Sequence, residues 1–340
     1  MSSARPILDF QNVLQRFLPG ASAKIIPLGS RGGFSGAEIC RAEIGSALLC
    51  LKAWPERDID AGRLEQMHAL MSQARRAGLF FVPEVHRQPD GTTLVAAGGR
   101  FWDLTTWMPG AADFHREATP VRLTAALQAL GQVHAAWQTI RQAPGPCPSI
   151  ERRLQALADW NRLLASGWRL APPTISSDAW RTLLSEANLL VRTHAPRLGA
   201  MLTAWHGKPV RLQPCIGDVW HDHILFQGAT VSGLIDFGGA RFDHPAADLG
   251  RLIGSLVADD DEAWTTALAA YRSINPLSWE EESLARLLDR TGVIVGLMNW
   301  LRWCGHGERE FGDPEAAMRR LQELVERVDR WDAGGQVIGI

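Results

Sequence analysis

Hydrophobic and polar positions follow different spacings in the two parts of this chain. Short apolar or period-two runs predict strands in the first part, whereas apolar positions at helical spacing dominate the second. Strands are predicted over residues 24–28, 37–44, 47–54, 82–85, 92–97 and 99–108, with helices over 7–18 and 60–77. Further helices are predicted over 121–140, 150–166, 178–204, 246–257, 261–273, 279–303 and 313–331. The pattern indicates an α+β protein in which a small sheet precedes a larger, mainly helical part.

A glycine-rich stretch from Gly29 to Gly36 separates the first two long strands. Glycines in a strand–turn–strand unit let the backbone approach a ligand closely and point its N–H groups at phosphate oxygens. Gly32, Gly33 and Ser35 are therefore candidate phosphate-binding residues. By itself such a run is more typical of an ordinary surface hairpin.

Lys52 is the charged residue of the apolar run from Leu48 to Trp54. A lysine in such a strand must either extend its ammonium group to solvent or reach a partner. The second possibility makes Lys52 a candidate ligand for an anionic group. A solvated lysine at the sheet edge is the alternative.

The stretch from Gln213 to Gly238 carries the strongest chemical signal. Asp218 stands before a predicted hairpin that turns at Gly228, and Asp236 closes its apolar second strand. Two carboxylates at the ends of one hairpin suit phosphoryl transfer, in which one positions a nucleophile and the other holds a metal against a phosphate. The alternatives are a turn-capping role for Asp218 and, for Asp236, a charged turn residue at the end of a strand.

Together these stretches resemble the aminoglycoside phosphotransferase and choline kinase family of protein-kinase-like phosphotransferases. The family pattern is H-G-D-x-x-x-x-N-x-L-F, then I-D-F/W-G/E, then P-x-x-D-L. It is matched by Ile216-Gly217-Asp218, His223, Leu225-Phe226, Ile235-Asp236-Phe237-Gly238 and Pro245 to Asp248-Leu249. The matches run in the same order along most of the chain.

The resemblance implies a bilobal fold and an ATP-dependent reaction. Residues 1–107 are expected to form a small antiparallel-sheet lobe that binds the nucleotide through its glycine-rich loop. Residues 108–340 are expected to form a larger, mainly helical lobe with the catalytic loop, the metal-binding loop and the acceptor pocket. The implied reaction transfers the γ-phosphate of ATP to a hydroxyl of a small molecule.

The resemblance also assigns roles to the residues that match the motifs. Asp218 is implied as the catalytic base and Asp236 as the metal ligand, while Asp248 braces the catalytic loop. Lys52 is implied to hold the α- and β-phosphates, paired with a helix glutamate for which Glu65 is the candidate. The predicted strand over 99–108 corresponds to the family's adenine-binding hinge, which would place Thr106, Trp107 and Met108 there.

Two positions depart from the family pattern. Ile216 replaces a histidine with a mostly structural role, and His223 replaces an asparagine that binds metal. Mg²⁺ prefers oxygen ligands, whereas imidazole also suits Mn²⁺, so Mg²⁺ is expected with Mn²⁺ as the alternative. Alternatively, His223 does not bind metal and a single metal ion remains, or Asp222 supplies the oxygen ligand that the asparagine would have provided. Loss of catalysis would instead make the chain a nucleotide-binding pseudokinase that acts as a scaffold or regulator.

Charge and cysteine content narrow the class of partner and the compartment. Lys and Arg total 35 against 37 Asp and Glu, so no preference for nucleic acid or anionic membranes is expected. No stretch approaches the roughly 18 consecutive apolar residues of a membrane span. The five cysteines show no C-x-x-C spacing, which favours a reducing cytoplasm over a zinc site.

The acceptor is the least specified part of the prediction. The acidic run over residues 259–262 would suit a cationic acceptor such as an aminoglycoside or an amino alcohol. Acids at a helix N-terminus explain the same run. The chain has 14 tryptophans, and Trp300 and Trp303 either line a pocket for such a compound or pack in a helix core.

Overall fold

The computed structural model describes residues 9–29, 36–55, 59–140, 142–169, 178–305 and 314–333. The chain divides into two compact units. The first unit is Met1–Ile140 with His221–Ala240, and the second unit is Arg141–Trp220 with Arg241–Ile340. The division expected between residues 107 and 108 stays a prediction; the first unit also takes in a long helix and a hairpin beyond residue 107.

An antiparallel five-stranded sheet forms the centre of the first unit. Its strands are β1 (Lys24–Gly29), β2 (Glu38–Ile44), β3 (Ala47–Pro55), β4 (Val95–Ala97) and β5 (Arg100–Thr106), in the order β1-β2-β3-β5-β4. The antiparallel sheet predicted for the start of the chain is therefore present. The strand predicted over 82–85 is reduced to one bridge between Val85 and Thr105.

The two faces of β3 have different environments because successive side chains of a strand point to opposite sides. Leu49, Leu51 and Ala53 join a hydrophobic core with Trp102 and helix α1 (Phe10–Phe17). The other face presents Cys50, Lys52 and Trp54. The strand thus buries its apolar face and positions Lys52 on the opposite side.

The described remainder of the first unit includes two long helices and a hairpin. They are α2 (Ala61–Arg76), α3 (Pro120–Gln138), β8 (Ile224–Gln227) and β9 (Thr230–Leu234). Asp60 and Thr119 cap the two helices by accepting bonds from backbone N–H groups three residues on. The Trp137 indole on α3 donates to the carbonyl of Leu70 on α2 at 2.8 Å, and its ring packs against Phe237. These contacts explain why the first unit extends past residue 107.

The second unit combines six helices and a small sheet within the described residues. The helices are α4 (Pro148–Ala165), α5 (Asp178–Thr203), α6 (Ala246–Val257), α7 (Asp261–Arg272), α8 (Trp279–Gly305) and α9 (Pro314–Ala333), each within a few residues of its predicted range. The strands are β6 (Ala143–Pro146), β7 (Pro209–Cys215) and β10 (Arg241–Asp243), in the order β10-β7-β6. Residues 143–146, for which the sequence predicts neither a helix nor a strand, contain two prolines, and prolines are tolerated in an edge strand such as β6.

Two glycines let α6 and α8 pack closely in the second unit. A Cβ atom on Gly250 would overlap the carbonyl oxygen of Ala285, and one on Gly254 would overlap the carboxylate of Asp289. Only glycine leaves room for this approach. Across the described part of the chain, no helix is both long and apolar enough to span a membrane.

Candidate active site

Lys52 and Asp236, far apart in the sequence, meet in the first unit. The Lys52 ammonium donates to the Asp236 carboxylate at 3.0 Å. Asp236 follows β9 and has φ 61° and ψ 68°, in the left-handed region that non-glycine residues adopt at an energetic cost. The turn that positions its carboxylate toward Lys52 thus stores backbone strain, as functional turns often do.

The electrostatic surroundings keep Asp236 ionised. Desolvation opposes the charged form, but the positive charge of Lys52 and the neighbouring His223 outweigh it and lower the pKa of Asp236 below its ordinary value. The hydrogen bond from Lys52 acts in the same direction. A carboxylate held ionised beside a cation is suited to binding a second cation or a phosphate-bound metal.

His223 lies beside this ion pair. It ends a short 3₁₀ turn over His221–His223, and its Nε2 is 3.7 Å from the second carboxylate oxygen of Asp236. The Ile235 N–H, next to Asp236, donates to the His223 carbonyl at 2.9 Å and fixes this approach. The Asp222 carboxylate instead lies 3.4 Å from His221. One carboxylate and one imidazole fit a divalent cation, and the nitrogen ligand suits Mn²⁺ better than Mg²⁺.

The other candidate phosphate-binding residues give a mixed result. Gly32, Gly33 and Ser35 lie outside the described residues. Glu65 is exposed on α2, and among the described residues the ion pair of Lys52 is with Asp236 and not with Glu65. A nucleotide-binding role for Glu65 stays a prediction, without the predicted pairing to Lys52.

The three predicted hinge residues differ in the availability of their backbone N–H groups. Thr106 donates its N–H to the carbonyl of Glu84 at 2.9 Å, and Trp107 donates to Leu48 at 3.0 Å. The N–H of Met108 donates to no residue within the described ranges. A ligand that accepts a bond from this segment would therefore take it from Met108.

Asp218 lies in the second unit on a loop that is held from two sides. The buried Asp248 carboxylate accepts from the N–H groups of Ile216 at 2.6 Å and Gly217 at 2.8 Å. The Arg241 guanidinium donates to the Gly217 carbonyl at 2.6 Å. Asp248 thus braces this loop in the way the resemblance implies, whereas Arg241 was not anticipated.

A buried carboxylate positions Arg241 in turn. Asp243 accepts from the Ser149 hydroxyl at 2.7 Å, from Arg152 and from Arg241 at 3.4 Å. Burial opposes ionisation of Asp243, but the hydrogen bonds from Ser149 and Arg152 and the charge of Arg152 lower its pKa below the ordinary value. The loop therefore rests on a charged network that stays ionised at neutral pH.

One arginine contacts Asp218, and two arginines approach the ring of Trp220, two residues further along the chain; sequence reasoning missed both arginines. The Arg251 guanidinium on α6 lies 3.3 Å from the Asp218 carboxylate, and both side chains are exposed. Arg251 and Arg320 lie 5.9 Å and 5.0 Å from the centre of the Trp220 ring. The available signal for Arg251 was its position three residues after Asp248, one turn along the same helix face.

Three acids of the run over 259–262 make contacts that stabilise the fold. Asp259 binds Arg327 at 3.0 Å, Asp260 caps α7, and Asp261 pairs with Arg286 at 2.8 Å. Trp300 is buried in α8, in keeping with the core-packing alternative. Neither feature gives support to a cationic acceptor.

Known proteins are similar to this chain in sequence and in fold. The model of the family described as "Phosphotransferase enzyme family" matches residues 44–286. A homoserine kinase from Azorhizobium caulinodans is 26% identical over 282 residues, which cover 79% of this chain and 78% of that protein. Another from Mesorhizobium japonicum is 28% identical over 169 residues, covering 44% of this chain and only 52% of that protein.

A solved structure agrees with these matches at the level of the fold. Spectinomycin phosphotransferase, in complex with ADP and spectinomycin, has a TM-score of 0.69 at 10% identity, over 93% of this chain and 95% of that one. The predicted protein-kinase-like α+β fold is therefore confirmed, and it is the fold of a kinase that acts on small molecules. The chain belongs to the phosphotransferase enzyme family.

Proposed function

We propose that this protein transfers the γ-phosphate of ATP to a hydroxyl of a small molecule. The observation that carries the proposal is the contact between Lys52 and an ionised, strained Asp236 beside His223. A cation and an anion held together in this way match the needs of a nucleotide whose phosphates bind a lysine and a metal.

The nucleotide-binding roles follow from the first unit. Lys52 would bind the phosphates, with Gly32, Gly33, Ser35 and Glu65 as further candidates. Asp236 and His223 would hold Mg²⁺ or Mn²⁺, which neutralises phosphate charge when bound. In the hinge segment Thr106 and Trp107 have engaged N–H groups, so Met108 is the proposed donor to adenine.

Asp218 is the proposed catalytic base. It would accept the proton of the acceptor hydroxyl and orient the oxygen toward the γ-phosphorus. In phosphoryl transfer most of the acceleration comes from alignment and charge neutralisation. A loop held by Asp248 and Arg241 meets that need, because it fixes the position of the base.

The surroundings of Asp218 also bear on the acceptor. The exposed Arg251 guanidinium beside it is suited to a carboxylate, which arginine binds with paired hydrogen bonds. Two relatives carry the name homoserine kinase, and homoserine is a hydroxy amino acid with such a carboxylate. We therefore propose a small hydroxy acid or hydroxy amino acid as the acceptor. The cationic acceptor predicted from the acidic run loses that basis.

The compartment and the other partners rest on weaker observations. All five cysteines are free thiols, which supports the proposed cytoplasmic location. The near balance of acidic and basic residues supports the expectation that neither nucleic acid nor a membrane surface is a partner.

The test is a phosphotransfer assay on the purified protein. ATP with Mg²⁺ or Mn²⁺ is supplied with a panel of homoserine, other hydroxy amino acids, amino alcohols, sugars and aminoglycosides. ADP release and the mass of the phosphorylated acceptor are measured. Turnover that Asp218→Asn abolishes, with nucleotide binding intact, is the expected result. Nucleotide binding without turnover on any acceptor would favour a pseudokinase, and absence of nucleotide binding would overturn both functions.

A further inference from the structure

One face of the sheet in the first unit carries an aromatic ring directly against Lys52. The Lys52 ammonium lies 3.8 Å from the centre of the Trp54 ring, within the range of a cation–π interaction. Residues two apart on a strand share a face, so β3 places both side chains on the same side. Trp54 is therefore a direct neighbour of the proposed phosphate-binding ammonium.

Trp54 also lies against the turn that carries Asp236. A Cβ atom on Gly238 would lie 2.6 Å from Cη2 of the Trp54 ring. The ring thus occupies the space that any larger residue at position 238 would need. Trp54 contacts the lysine on one side and the turn of its acidic partner on the other.

A buried polar network fixes the orientation of this ring. The Trp54 indole Nε1–H donates to the Asp103 carboxylate at 2.8 Å, and His68 Nε2 lies 3.2 Å from the same oxygen. His68 Nδ1 lies 2.9 Å from the Thr93 hydroxyl. Trp54, Asp103 and His68 are all buried. Buried polar groups with satisfied partners hold a single geometry, so the ring has little freedom to rotate.

The same network places the Asp103 carboxylate on the face of the sheet that carries Lys52. In the pairing of β3 with β5, Asp103 is directly opposite Lys52, so their side chains share a face. Burial raises the pKa of the neighbouring Cys50 to about 12, and the charge of Asp103 contributes to that rise. Asp103 therefore acts on this face of the sheet although its hydrogen bonds go to Trp54 and His68.

We propose that Trp54, held by Asp103 and His68, is the positioning residue for Lys52. In this chain the Trp54 ring and the buried Asp103 would position Lys52, the role that the resemblance assigned to a helix glutamate. The inference rests on the proposed function, because it concerns the lysine that would bind the nucleotide. It adds three residues that no motif singled out.

The test measures nucleotide affinity and lysine exposure separately. Binding of ATP with Mg²⁺ is measured by calorimetry for wild type, Lys52→Ala, Trp54→Leu, Trp54→Phe and Asp103→Asn. Trp54→Leu should weaken ATP binding about tenfold, the size expected for loss of a partly desolvated cation–π contact. Trp54→Phe keeps a ring but loses the Nε1–H tether, so a smaller loss is expected. Asp103→Asn, which removes the charge, should also weaken binding.

Trp102 provides the matched control. It is a buried tryptophan on β5 whose indole donates to the Ala97 carbonyl, and it belongs to the core on the other side of the sheet. Trp102→Phe and Trp102→Leu should lower thermal stability at least as much as the Trp54 changes, with ATP affinity unchanged. In the absence of nucleotide, amine-reactive labelling of Lys52, followed by mass spectrometry, should accelerate in Trp54→Leu and not in Trp102→Leu.

The outcomes separate this inference from the function on which it rests. If wild type binds no ATP, or binds it as well as Lys52→Ala does, the proposed role of Lys52 is wrong. If Lys52→Ala weakens binding while the Trp54 and Trp102 variants behave alike, the positioning role of Trp54 is wrong. Should Trp54→Leu fail to fold, Trp54→Phe against Trp102→Phe decides by the same criterion.

Discussion

The guanidinium of Arg251 lies 3.3 Å from the carboxylate of Asp218. Arg251 projects from α6, the helix whose first turn also carries the loop-bracing Asp248. One helix of the second unit therefore both supports the loop of the proposed base and places a positive charge at its carboxylate. Because both charged groups are exposed, the pair contributes little to stability and is available to a ligand.

Arg251→Ala tests the proposed acceptor class. If the guanidinium binds the acceptor carboxylate, KM for a hydroxy acid should rise roughly tenfold to a hundredfold, the range for a hydrogen bond to a charged group. KM for ATP should stay unchanged. Steady-state kinetics with homoserine and with an amino alcohol that lacks the carboxylate provide the comparison. A rise in the KM of ATP instead would assign Arg251 to the phosphates.

The spacing of apolar residues within single segments predicted most of the helices and the hairpin part of the proposed site. The helices from α3 to α9 follow from apolar spacing along single segments, and the hairpin that bears His223 and Asp236 is a short local unit. The contact of Lys52 with Asp236 bridges 184 positions. The resemblance implied a phosphate role for Lys52 and a metal role for Asp236, but it paired Lys52 with Glu65, so this contact was not predicted. Spacing within a segment gives no information on such long-range partners.

What escaped prediction depends on tertiary packing. In the sequence, Trp54 has the pattern of an ordinary core residue in an apolar strand. The position of Asp103 opposite Lys52 follows only from the pairing of β3 with β5. Arg241 and Arg251 acquire their contacts when β10 and α6 pack beside the Asp218 loop. The proline-rich segment over 143–146 has no strand pattern of its own. It becomes a strand by pairing with residues 209–215, which are distant in the sequence.

Asp248→Asn is expected to impair catalysis while leaving nucleotide binding intact. The carboxylate accepts two backbone N–H bonds with two oxygens, whereas an amide offers a single oxygen, so one buried N–H of Ile216 or Gly217 loses its partner. Leaving such a group unsatisfied costs about 1–3 kcal/mol. The kcat should fall with the KM of ATP unchanged, and an unfolding curve checks that the fold is kept. An equal loss in ATP affinity would contradict a role confined to the loop.

The close packing of α6 on α8 predicts a strong effect of a single methyl group. Gly250→Ala would push a Cβ atom into the Ala285 carbonyl, and overpacking of this kind typically costs about 1–3 kcal/mol. Gly199→Ala on α5 is the control, because its Cβ would meet only a Leu157 methyl group at 3.4 Å. Denaturant unfolding should show Gly250→Ala destabilised and Gly199→Ala neutral or slightly stabilised, since alanine favours a helix. Equal effects would contradict the packing explanation.

The lowered pKa of Asp236 fixes the sign of a pH dependence. A carboxyl whose pKa is depressed in the folded state adds stability above its unfolded pKa, about 3.9 for aspartate, and loses it as pH falls through the folded value. The effect of Asp236→Asn on the unfolding free energy is measured in a His223→Asn background, so that no neighbouring imidazole titrates in the same range. In that background the effect should stay constant from about pH 8 to pH 5 and should then shift against the protein that keeps Asp236 in more acidic solution. Denaturant titrations at a series of pH values measure it, and a change between pH 5 and pH 8 would contradict the assignment.

His223→Asn should change the metal preference of the protein. The His223 imidazole lies 3.7 Å from the Asp236 carboxylate, so a cation bound there has one oxygen and one nitrogen within reach. Imidazole favours Mn²⁺ relative to Mg²⁺, whereas an amide oxygen suits both, so the variant should gain activity with Mg²⁺ relative to Mn²⁺. ATP turnover titrated with each metal measures the ratio, and Asp222→Asn is the control because its carboxylate lies beside His221. An unchanged ratio in His223→Asn, or an equal shift in Asp222→Asn, would remove His223 from the metal site.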